Sequence, residues 1–156
     1  MPSPKSVPPA ASGIAAFLLV LLLLGSAAEV CLAGGAVTVD LGTVYASNKG
    51  DEVDPGLMNL RGKLQVMFNY SSYKMIDRRR RTLAVGESGT FELPGRRAMH
   101  VSPLPAPGNK VRLSVQIREG GKNLLTTTVG MSRGGMVLVG GPSHEDGVLI
   151  LILSAS

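Results

Sequence analysis

Between Lys110 and Arg118 the chain alternates without a fault. Val111, Leu113, Val115 and Ile117 fall on one side of an extended backbone, with Lys110, Arg112, Ser114, Gln116 and Arg118 on the other. A helical period would put Arg112, Val115 and Gln116 on one face, so the segment reads as a strand. One side must meet a core and the other water, as antiparallel sheets allow. The same period of two recurs over 36–45. It recurs again over 64–70, where Leu64, Val66, Phe68 and Tyr70 would share a face. Shorter runs at 82–85, 90–93, 124–129 and 136–139 complete the series.

Glycines mark the breaks: Gly86 and Gly89, the pair Gly120-Gly121, and the pair Gly134-Gly135. Such residues supply the positive φ angles of tight hairpins, so each break is expected to join neighbouring strands of one sheet. No GxxxxGK[ST] or GxGxxG phosphate loop is present. Two stretches read as loops. Residues 47–62 are polar, with Asp51, Glu52 and Asp54 clustered, and 103–109 hold three prolines, which argues against an interior strand. No amphipathic helix is expected after residue 34. The run 147–153 is apolar on both faces and belongs inside a sheet covered on both sides. The fold class expected is all-β: a single antiparallel β-sandwich, or partly open barrel, of about seven to nine short strands after an N-terminal signal helix.

The leader is read from Lys5, the uncharged apolar run 14–24, and the small residues Gly25 to Ala28. Eleven helical residues rise only ~16 Å against a hydrocarbon core of ~30 Å. Residues 1–33 are therefore expected to be a signal peptide, cut before Gly34, with a cut after Ala28 as the alternative. An uncleaved anchor and lipidation of Cys31 are the other two readings. The domain is then 34–156, exported to the periplasm or the extracellular space. One Cys excludes an internal disulfide framework and a Cys-rich zinc module, and two His argue against a multi-histidine metal site. No metal or cofactor is expected.

Sixteen Lys and Arg against eleven Asp and Glu leave a charge of +5. The strongest concentration is Arg78, Arg79, Arg80 and Arg81, directly after Asp77. Four adjacent arginines cannot share one strand face, so at least part of the run is a turn or a sheet edge. Such an edge resists pairing with other sheets, and it can also hold an anionic partner. Arg96 and Arg97 would extend the patch if 82–93 folds back as a hairpin. Nucleic acid is not the expected target, because export removes it and stacking aromatics are not interleaved. The partner expected is an acidic envelope component or another envelope protein. A membrane would be met only through an uncut signal or the basic surface, and the oligomeric state is left open.

His144-Glu145-Asp146 could supply acid–base chemistry, yet no second cluster offers a nucleophile, so the triplet reads as a charged hairpin tip. His100, sharing a strand face with Ala98 and Ser102, reads as half-buried. Asn69-Tyr70-Ser71 matches a glycosylation triplet but falls at the end of an expected strand. The function expected is a non-enzymatic structural or interaction module of the bacterial envelope, with a basic edge. The alternatives are an assembly subunit that adds a strand to a partner's sheet, and a small hydrolase using His144.

The segment 124–141, LLTTTVGMSRGGMVLVGG, resembles the paired strands near the end of bacterial secretin cores. In that family a threonine-bearing strand, a glycine turn and a short apolar strand ending in Gly-Gly occur in order. Leu149-Ile150-Leu151-Ile152 is similar to the apolar strand that follows them. The long segment between those strands in secretins is replaced here by residues 142–147. The resemblance implies β structure and assigns no functional residue.

Overall fold

The computed structural model describes residues 35–156; Lys5, the run 14–24, Cys31 and the cleavage positions lie outside the described residues. Among the described residues eight strands form two antiparallel four-stranded sheets. In chain order they are β1 (Val37–Ser47), β2 (Ser72–Leu83), β3 (Gly89–Leu93), β4 (Arg97–Leu104), β5 (Lys110–Glu119), β6 (Lys122–Ser132), β7 (Gly135–His144) and β8 (Gly147–Ala155). The first sheet runs β2-β1-β8-β7 and the second β3-β4-β5-β6. This is the expected sandwich, with the two sheets packed on a shared core.

That core takes one face of each strand, as the period of two requires. Val111, Leu113, Val115 and Ile117 of β5 are all buried. They pack with Phe91, Met99 and Val101 of their own sheet and with Val39, Leu41, Leu151 and Leu153 of the other. Each such side chain, moved out of water, stabilises the fold by roughly 1.5–3 kcal/mol before entropy is counted.

The segment 64–70 is not a strand. A 3-10 helix (Pro55–Leu60) leads directly into α1 (Arg61–Phe68). The apolar positions that decide it are Leu57, Leu60, Leu64 and Phe68, spaced by three and four, and all pack into one cluster. Val66, which the strand reading would bury beside Leu64, is 87% exposed. Pro55 sits at the first helical turn, where its missing N–H costs nothing. Asn69 closes α1 in the left-handed conformation, with φ of 54°. The supposed loop 47–62 therefore ends in helix, and the glycosylation triplet starts at a helix cap rather than at a strand end.

These helices lie on the outer face of the first sheet. Leu57 and Leu64 cover Val44, Ala46, Ile150 and Ile152. Tyr73 of β2 is fully buried there; its hydroxyl donates to the Leu64 carbonyl (3.0 Å) and accepts from the Tyr70 N–H (3.1 Å). Strand β8 sits between β1 and β7, with Leu149, Leu151 and Leu153 buried on one face and Ile150 and Ile152 on the other. The expectation of a central, doubly covered strand holds, and one of its two covers is helical.

Two further expectations are corrected. Pro103 lies within β4, an interior strand, opposite Leu113. It is tolerated because β3 ends its pairing at Val101, so no neighbouring strand needs the missing donor. The Pro103 carbonyl on that side accepts instead from Gly86 N–H (2.9 Å). The glycine breaks at 86–89 and 134–135 are not hairpins either. Each carries the chain from one sheet to the other, since β2 and β3, like β6 and β7, belong to different sheets.

Candidate functional site

All four arginines of the run lie in β2, an edge strand of the first sheet. A bulge decides where each one points. Thr43 pairs with Asp77 and Val44 with Met75, which leaves Ile76 as an extra residue and reverses the side-chain alternation beyond it. Arg80 therefore stands directly opposite Asp40 of β1, and Arg78 opposite Gly42, on the outer face. Arg79 and Arg81 stand opposite Leu41 and Val39, on the side of the inter-sheet core.

On the outer face one carboxylate serves two guanidiniums. Arg78 Nε donates to Asp40 Oδ1 (2.9 Å), while Arg80 Nε and Nη2 donate to Oδ2 (3.0 and 2.9 Å). The Asp40 side chain is only 13% exposed, whereas those of Arg78 and Arg80 are 66% and 68% exposed. Arg78 commits its Nε alone, so its Nη fork makes no hydrogen bond among the described residues. Next to the cluster Thr38 and Thr82 share a hydroxyl hydrogen bond (3.1 Å). Thr38, Asp40, Arg78 and Arg80 line an open depression of about 230 Å³ together with Ser154 and Ser156. Its lining holds two guanidiniums and one carboxylate, and that carboxylate is already occupied by both of them.

Of the two inner arginines, Arg79 bonds within β2 and Arg81 reaches across the sandwich seam. Arg79 Nε donates to Asp77 Oδ2 (2.6 Å), and the Arg81 guanidinium lies 5.8 Å from the centre of the Phe91 ring on β3. That cation–π contact ties the two sheets together at their open side. The free backbone edge of β2 is also occupied at one end. Tyr73 exchanges hydrogen bonds with Glu52 and Asp54, and Asp54 Oδ2 accepts from Met75 N–H (3.1 Å).

Burial raises the pKa of Asp40, but the hydrogen bonds and charges of Arg78 and Arg80 outweigh it and hold the carboxyl below its ordinary 3.8. A depressed carboxylate contributes stability that is present above its unfolded value and is lost as pH falls through the folded one. Asp40→Asn is therefore expected to lose less stability than the parent on acidification below about pH 4. Urea midpoints measured down the pH series check this, and parallel curves would remove Asp40 as the acid-sensitive group.

Arg96 and Arg97 do not extend this cluster by any bond among the described residues. Arg96 occupies the β3–β4 turn with φ of 59°. Arg97 is half-buried in β4, where its Nε donates to Glu119 Oε1 (3.0 Å) across to β5. His144 ends β7 with its ring edge-on to Tyr45, centroids 5.7 Å apart, and Glu145 Oε1 is 4.0 Å from its Nε2. Asp146 pairs instead with Lys49 and raises the lysine's pKa. His100 is half-buried and shares a hydrogen bond with Thr90 Oγ1 (3.0 Å). Among the described residues no three His, Cys, Asp or Glu side chains gather as a metal site. Nor is any described helix long and apolar enough to cross a membrane.

Asp40 is the site residue that the sequence reading missed. Its signal was there: a lone carboxylate at an outward position of the apolar run 36–41.

No family model and no curated protein matches this sequence. A solved structure similar to it is the cryo-EM structure of the T2SS secretin XcpQ from Pseudomonas aeruginosa, with 9% sequence identity and a TM-score of 0.47. The match covers 88% of this chain, which spans only 62% of the length of that secretin chain. This is a weak structural resemblance to a secretin, and no residue takes a role from it.

Proposed function

We propose that the chain is a non-enzymatic interaction module of the bacterial envelope that holds an acidic envelope polymer along the β2 edge. The observation that carries this reading is the charge count on that edge: four guanidiniums against the carboxylates of Asp40 and Asp77. Arg78 and Arg80 repeat at about 7 Å along one face, a spacing suited to successive anionic groups of an extended polymer. Guanidinium forks bind carboxylate and phosphate bidentately, and Asp40 already fixes the two stems in place. The leader-like segment 14–24 supports the envelope location. The packing of His144 against Tyr45 supports a structural rather than a chemical role for the 144–146 tip.

Titration calorimetry with heparin as the acidic probe tests the proposal. Arg78→Gln with Arg80→Gln is expected to weaken binding at low salt on the order of tenfold, since two exposed charge pairs are lost together. Parent affinity should fall steeply as salt rises, because exposed charges are screened within ~8–10 Å. Arg96→Gln is expected to change little. An affinity indifferent to the double substitution would overturn the proposal, and binding to anionic vesicles but not heparin would move the partner to a lipid surface.

A further inference from the structure

A sandwich of two open sheets has four edge strands, and three of these are guarded. Strand β2 carries four arginines and is capped by Glu52 and Asp54. Strand β3 is only five residues long. Strand β7 is broken after Gly140 by a bulge that reaches Ser143 and contains Pro142. Strand β6 has no such protection. From Leu125 to Ser132 it runs in unbroken register with β5 and holds no charged residue and no proline. An exposed edge of that kind is a template for another strand.

The phase of the β5–β6 ladder shows which groups are unpaired. Arg133 N–H donates to the Asn109 carbonyl (3.0 Å), so the Lys110–Ser132 pair is the wide, non-bonded kind. The bonded pairs are then Val111 with Met131, Leu113 with Val129 and Val115 with Thr127. It follows that the amides and carbonyls of Thr126, Thr128 and Gly130 point away from β5. No backbone hydrogen bond reaches them on that side among the described residues.

We infer that β6 is a self-association edge, at which a second copy of this chain pairs antiparallel about a two-fold axis through Thr127. In that register Thr126 of one copy meets Thr128 of the other, and their outward amides and carbonyls exchange hydrogen bonds. Leu125 meets Val129, both half-buried and already packed on the inter-sheet core, so pairing prolongs that core into the neighbour. No two charges stand opposite, and Lys122 falls beside Ser132 at each end. A sequence that complements itself in this way fits an isologous dimer and identifies the occupant as a second copy. The argument stands apart from the anion site, because β6 is not the strand that carries the arginine run.

Two sets of variants of the full-length chain test the inference. The first is read by sedimentation equilibrium, where the parent should show twice the monomer mass at high concentration. Thr128→Pro removes an amide that faces away from β5, so the strand can still fold while its edge is blocked. It is expected to be monomeric with an unchanged circular dichroism spectrum. If that variant does not fold, Thr126→Lys with Thr128→Lys sets lysine against lysine across the axis and should give the same monomer.

The second set reads the register, on a Cys31→Ser background. Thr127→Cys should oxidise to a covalent dimer, since a wide antiparallel pair brings Cα atoms to about 4.5 Å, within disulfide reach. Ser132→Cys should not, because the two copies would hold those residues roughly 33 Å apart. A parent that stays monomeric at millimolar concentration would overturn the inference. So would a dimer that survives both edge variants, or cross-linking at position 132 in place of 127.

Discussion

Gly147→Ala is expected to lose about 3 kcal/mol of stability or more, the upper end of overpacking penalties. Gly147 opens β8, and a Cβ built there would overlap the Ala46 carbonyl oxygen and lie 2.9 Å from its carbon. Both are backbone atoms at a buried residue near the end of β1, a central strand, so no rotamer change relieves the contact. The start of β8 would have to pull away from the end of β1, next to the Ala46–Val148 pair. The urea midpoint measures the effect. Gly62→Ala, in α1 with nothing within 4 Å of the added atom, is the matched control and should leave the midpoint unchanged or raised. If the two variants unfold at the same midpoint, the close approach of β8 to β1 is wrong.

Leu64→Ala is expected to cost ~2–5 kcal/mol, the range for emptying a buried leucine site, while Val66→Ala costs under about 0.5 kcal/mol. Leu64 is fully buried between α1 and the outer face of the first sheet, and Val66 is 87% exposed. The pair separates the two readings of this segment. In a strand, residues two apart share a face and both substitutions would hurt. In a helix, 64 belongs with 57, 60 and 68, and 66 points away. Equal losses in the two variants would restore the strand and remove the helical cover from Ile150 and Ile152. Loss of the α1 packing would also free the Tyr73 hydroxyl from Leu64 and Tyr70, so a rise in Tyr73 exposure should accompany the Leu64 loss.

The strand pattern was legible because alternation over 110–118 admits one reading. The helix was misread because 57–70 satisfies two periods at once. Leu64, Val66, Phe68 and Tyr70 alternate, while Leu57, Leu60, Leu64 and Phe68 follow the helical spacing. Asp54-Pro55 before the helical positions and Asn69 after Phe68 are start and stop signals that favoured the helix. In the candidate site, the arginine run was visible as a solvated edge. What the run does was not, because Asp40 lies 38 residues away from Arg78 in sequence. The facing of each arginine depends on a bulge at Ile76 that no local pattern announces.

By itself, then, the sequence determined that this chain must build sheets with one buried face, that residues 147–153 need cover on both sides, and that the arginines cannot be interior. These follow from local period and from the cost of burying charge, which depend on neighbours along the chain. The tertiary structure alone decided that a helix supplies the second cover for β8, that two glycine turns cross between sheets, and that one aspartate gathers two of the four arginines. Those outcomes depend on strand order and register, which are set by contacts between residues far apart in the chain.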